Sequence, residues 1–159
     1  MEMNDTTKLG FLKDEYLLLQ KFYEDFDARI ITIKGWSATV GIAAIGGGFF
    51  QSKFLWLFAA GASVVFWITE AVWKSFQYMY APRIEAIEGA FRKKSIENLA
   101  PFQIYTSWFQ TLQEQGFGVL ANMKLAVVLF PHLITVIVGI ALFLLEYYGR
   151  LPVVRTIPK

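Results

Sequence analysis

Residues 125–145, LAVVLFPHLITVIVGIALFLL, contain no charged side chain and one histidine. Few folds are open to such a run, because about 20 apolar residues make a helix that crosses about 30 Å of hydrocarbon. A second block, residues 54–73 (FLWLFAAGASVVFWITEAVW), carries only Glu70. A third, residues 35–50 (GWSATVGIAAIGGGFF), has no charge and reaches spanning length only by adding Ile30, Ile31 and Ile33. The chain is 18% charged against about 25% for an ordinary soluble domain. No segment alternates in the way that barrel strands require. The expectation is an all-α membrane protein with about three transmembrane helices and a helical cytoplasmic region.

The basic residues give that expectation a direction. Lys and Arg number five in residues 1–34 and six in 74–124, against Lys53 alone between the first two blocks and three in the C-terminal tail. Eleven against four puts the N-terminus in the cytoplasm and the C-terminus outside by the positive-inside rule. Aromatic belts agree: Trp36, Trp73, Tyr78 and Tyr80 on the inner side, Trp56, Tyr147 and Tyr148 on the outer. Residues 1–29 are charged throughout, unlike a secretory leader. A bacterial inner membrane is the expected location.

The chain divides into five stretches. Residues 1–34 carry apolar side chains at Leu12, Tyr16, Leu19, Tyr23, Phe26, Ile30 and Ile33, a heptad seam of the coiled-coil type leading into span one. That seam must bury against a neighbouring copy or against the next cytoplasmic helix. Residues 35–80 form a transmembrane hairpin (35–50 and 54–73). Residues 81–124 form cytoplasmic and interfacial helices, opened by Pro82 and Pro101, with Phe102, Tyr105, Phe109 and Leu112 as an apolar stripe suited to the membrane interface. Residues 125–145 are the third span, with Pro131 bending it, and 146–159 an extended tail.

Several polar residues stand out against this background. Glu70 lies about 6 Å below the expected inner end of its span at Lys74. One reading is a clasp to Lys34 or Lys74; another is an acidic ring at the inner mouth of an oligomeric pore. His132, with Thr135 one turn on, is either a buried hydrogen-bonded residue or a titratable gate. As a haem ligand it would need a second copy to supply the other axial side chain. Ser37 and Gly41, Ala43 and Gly47, and Ala44 and Gly48 stand four apart, a spacing that lets helix backbones approach closely in lipid. They serve contact within the chain or between copies. Arg92, Lys93 and Lys94 form a basic run that meets solvent, anionic lipid or an anionic ligand.

Enzyme chemistry has little to stand on. There is no cysteine, no His pair at metal-binding spacing and no nucleophile-elbow motif, so neither metal nor cofactor is expected. The formal net charge of +2 offers no footprint for nucleic acid.

The layout of residues 10–100, a cytoplasmic helix, a tight two-span hairpin and further cytoplasmic helices, resembles the SLATT-type membrane proteins of bacterial conflict systems. That resemblance implies a pore-forming effector; the block at 125–145 departs from the plan. The first expected function is therefore a self-associating ion-conducting pore gated from the cytoplasm, with Glu70 at its inner mouth. The alternative is a non-catalytic accessory or assembly subunit of a larger membrane complex. The expected partners are membrane lipid, further copies of the chain and other membrane subunits.

Overall fold

The computed structural model describes residues 4–93, 95–130, 132–151 and 153. They are helical, with no strand among them. Helix α1 runs unbroken over Asp5–Phe50 and is followed, after a three-residue turn, by α2 at Phe54–Tyr78. Then come α3 (Ala81–Lys93), α4 (Ile104–Gln115), the single turns α5 (Val119–Asn122) and α6 (Ala126–Leu129), and α7 (His132–Tyr147). The helices that begin at Asp5 and at Phe54 are long and apolar enough to cross a membrane. Pro82 sits in the first turn of α3, where its missing N–H costs nothing. Gly116, at φ 64°, ends α4 by donating its N–H to Leu112 O at 2.9 Å.

Two compact units emerge, one of Met1–Arg29 with Trp73–Gly118, the other of Ile30–Val72 with Val119–Lys159. The first unit has an apolar core. Leu12 and Leu19 of α1 close a core with Ile84 and Ile87 of α3, flanked by Tyr16, Tyr23, Tyr80, Ile96, Leu99 and Ile104. The heptad seam from Leu12 to Tyr23 is thus covered by the chain's own α3. Phe26 continues the seam, with its ring 5.6 Å from Trp73 and 5.9 Å from Tyr80. Beside the core, Arg83 forks onto Glu15 at 2.8 and 2.9 Å, and Glu15 also accepts the Phe102 N–H at 2.8 Å. Phe102 has a φ of 62°, a left-handed conformation costly for a side chain of its size, and this bond helps to hold it.

The second unit packs mainly through smaller side chains. Most of its buried positions are small or polar: Ser37, Gly41, Ala44 and Gly48 on α1; Ala59, Ala60, Ser63, Glu70 and Ala71 on α2; His132 and Gly139 on α7; Ile30, Trp56 and Val128 are the larger apolar exceptions. Its exposed positions are large and apolar, among them Ile31, Trp36, Ile42, Phe50, Phe58, Val65, Leu120 and Ile137. The backbones lie close where the small residues meet. A Cβ on Gly139 would stand 2.5 Å from the Trp56 carbonyl oxygen, and one on Gly41 2.9 Å from a Thr135 methyl. Trp56 corrects the belt assignment: it is fully buried, its Nε1–H donating to Ile45 O at 2.9 Å across the α1–α2 turn.

A second correction concerns residues 125–145, which do not form one helix. Phe130 is extended (φ −82°, ψ 137°), as the residue before a proline is driven to be. The chain therefore stops at α6 and restarts as α7. Sixteen residues make α7 about 24 Å long, short of a full crossing. Helix also continues to Tyr147, past the expected start of the tail; most of the remaining tail lies outside the described residues, as do Lys94 and Pro131.

Candidate functional site

The polar residues of the second unit converge on one chain of hydrogen bonds. Lys34 of α1 donates to Glu70 Oε1 at 2.5 Å; Glu70 Oε2 lies 3.0 Å from His132 Nε2; His132 Nδ1 lies 2.9 Å from Ser37 Oγ. Glu70, His132 and Ser37 are buried, while the Lys34 side chain keeps 24% of its surface. The local sequence explains who meets whom. Lys34 and Ser37 are one turn apart on α1, so both point to the same side. Helix α7 begins at His132, which sets the imidazole in its first turn.

Donor counting constrains the arrangement further. A carboxylate can only accept, so with Glu70 ionised the His132 Nε2 carries the proton in their contact. Nδ1 shares its hydrogen bond with the Ser37 hydroxyl, in a direction set by the protonation of the ring. Both ring nitrogens thus have a partner within the unit.

Helix α2 does more than supply the acid. Ser63, Trp67 and Glu70 lie four and three residues apart, one face of the helix. The Ser63 hydroxyl donates to the His132 carbonyl at 3.1 Å, and Trp67 Nε1–H donates to the Met123 carbonyl at 3.0 Å. They therefore bind the chain on either side of the break, Trp67 upstream at Met123 and Ser63 and Glu70 downstream at His132. The sequence reading missed Ser63 and Trp67 in this role, although their spacing from Glu70 was the available signal.

The remaining sequence candidates go elsewhere. Thr135 packs at Gly41. Lys74 binds Gln77 Oε1 at 2.6 Å and Asp27 Oδ1 at 3.4 Å within the first unit, not Glu70. Ser37, Gly41, Ala44 and Gly48 form the buried stripe, Gly47 is half-buried beside Leu55, and Ala43 faces outward. Arg92 and Lys93 are exposed at the end of α3. Arg92 lines an open groove of about 430 Å³ with Lys13, Tyr16, Glu88 and Phe91. In that groove the Tyr16 hydroxyl donates to Glu88 at 2.9 Å, which holds its pKa above the usual tyrosine value. The buried pair Glu15–Arg83 was also missed; its signal was a glutamate one residue from the seam position Tyr16 and three from Leu12.

No family model, curated protein or solved structure matches this chain.

Proposed function

We infer that the chain is an integral membrane protein acting without catalysis as an accessory or assembly subunit of a larger membrane complex. Its second unit sits in the bilayer as the two long helices and the broken α6–α7 segment, and its first unit is cytoplasmic. The positive-inside count supports that orientation, and a bacterial inner membrane fits the layout. The observation that carries the reading is the pattern of burial in the second unit. Mostly small and polar side chains, with Ile30, Trp56 and Val128, close its interior while many large apolar ones cover its outside, an arrangement stable in hydrocarbon and costly in water.

Contacts within the chain favour the subunit over the pore. The pore reading drew on a seam without a cover and a small-residue face free for self-association. Helix α3 covers the seam from Leu12 to Tyr23, and Trp56, Thr135 and Leu55 meet the small-residue face. Glu70 and His132 have no exposed surface, so a pore would require them to leave their partners and turn toward a lumen between copies.

Native mass spectrometry of the protein purified in mild detergent tests this. A monomer, or a species of defined mass containing other polypeptides, is expected. A single symmetric homo-oligomer of four or more copies would overturn the subunit reading and make Glu70→Gln in a cation-flux assay the next step.

A further inference from the structure

The C-terminal end of α7 has a feature that the polar chain does not use. Gly149 adopts φ 66°, Arg150 N–H donates to Leu145 O at 2.7 Å, and Gly149 N–H donates to Glu146 O at 2.9 Å. These two bonds around a left-handed glycine are a Schellman cap, which turns the chain back on the helix it ends. The reversal sets Arg150 at one end of an open groove of about 590 Å³, lined also by Ala141, Leu144, Leu145 and Tyr148. Positions 141, 144, 145 and 148 recur on one face of a helix, so the groove has an apolar wall a turn or two long. Its polar groups stand at one end only. Arg150 is exposed and has no ion-pair partner among the described residues.

The geometry points to a site for one phospholipid molecule, a conclusion that rests on the membrane reading above. An acyl chain lies along Ala141, Leu144 and Leu145, and the Arg150 guanidinium grips the phosphate, with Tyr148 at the level of the glycerol esters. Three arguments select this occupant. A planar guanidinium offers two parallel N–H donors to two phosphate oxygens, which an ammonium cannot. Tyrosine suits the boundary where one end of the ring is apolar and the other wet. Free phosphate would satisfy the arginine and leave the apolar wall unused, whereas a diester carrying acyl chains satisfies both.

Delipidated protein in mild detergent, titrated with dioleoylphosphatidylglycerol and read by native mass spectrometry, tests the site. One tightly held lipid per chain is expected. Arg150→Gln should weaken its retention about tenfold, the scale of one charge-assisted contact. Ala141→Phe keeps the arginine but fills the groove at an exposed position, and it should weaken retention comparably. Dioleoylglycerol, which has the chains without the phosphate, should bind weakly, and inorganic phosphate should fail to displace the lipid. Retention unchanged in either variant, or displacement by inorganic phosphate, would overturn the inference. Wild-type protein released from membranes by alkaline carbonate would sink the membrane reading along with it. Protein retained in the membrane whose Arg150→Gln variant holds lipid equally would sink the lipid site alone.

Discussion

Removing Glu70 should do more damage than removing the whole polar chain. Glu70→Ala leaves Lys34 without its counter-charge and His132 Nε2–H without an acceptor, both inside the second unit. Breaking a fully buried ion pair costs about 3–5 kcal/mol, and an orphaned buried donor about 1–3 kcal/mol. Water reaches the 24% of the Lys34 side chain that stays exposed and recovers part of the first cost. A net loss of about 3 kcal/mol is therefore expected, which for a chain of this length lowers Tm by roughly 6–12 °C. Glu70→Gln should lose about half as much, because its amide oxygen still accepts from Lys34 and the imidazole can change tautomer. The triple variant Lys34→Met, Glu70→Leu, His132→Phe removes every charge at once. Swapping a whole buried ion pair for apolar groups of similar volume is often neutral or stabilising, so the triple variant should melt well above Glu70→Ala. Circular dichroism melts in mild detergent would measure all three. A Glu70→Ala midpoint within about 2 °C of wild type, or a triple variant less stable than Glu70→Ala, would refute the account of these residues as a clasp.

Other perturbations probe the remaining structure. Gly139→Ala drives a methyl onto the Trp56 carbonyl and should cost about 1–3 kcal/mol, whereas Gly10→Ala, with nothing within 4 Å, should gain about 0.5–1 kcal/mol; paired melts separate close packing from helix propensity. Glu15→Ala strands a buried Arg83 and frees the Phe102 N–H. It should cost about 3–5 kcal/mol and speed proteolysis between residues 99 and 104. Tyr16, through its bond to Glu88, and Tyr23 and Tyr80, through burial, have raised pKa values. Because the folded state holds these protons more tightly, their contribution is complete below about pH 10 and is lost as pH rises through the folded-state values. Phenolate absorbance during an alkaline titration, compared with Tyr16→Phe, would show three late-titrating tyrosines; early titration would contradict the packing.

The helices were legible wherever a period or a breaker marked them. The seam from Leu12 to Phe26 and the prolines at 82 and 101 announced α1, α3 and α4, because heptad spacing and a missing N–H act locally. The break in 125–145 replaces the expected bend. A proline loosens the helix it sits in, but it also drives the residue before it, here Phe130, into extended backbone. Lys34 or Lys74 as the partner of Glu70 could not be decided from spacing, since both lie within reach of a flexible side chain. Burial decided it, for Gln77 and Asp27 hold Lys74. Trp56 reads as a belt residue because its apolar context is the same whether the ring faces lipid or a glycine, and only the gap left by Gly48 draws it inward. Glu15 and Arg83 stayed hidden because a charged residue beside a seam usually reaches solvent.

The polar face of α2 and the interruption of the third apolar block explain each other. A chain that stops at Phe130 and restarts at His132 leaves carbonyls and N–H groups that no helical turn satisfies. In water those groups would cost little. In hydrocarbon such groups must find partners within the protein, and α2 presents Trp67 to the Met123 carbonyl upstream of the break and Ser63 and Glu70 to His132 downstream of it. An uninterrupted helix at 125–145 would make a serine, an indole N–H and an acid on one face of α2 a burden. Trp67→Phe should therefore cost about 1 kcal/mol by stranding the Met123 carbonyl, and Ser63→Ala about as much at His132. The pair together should cost more than the sum, since both hold one segment in place. Strict additivity in detergent melts would mean that the two bonds act on parts of the chain that move independently, and that α2 does not hold the broken segment as a unit.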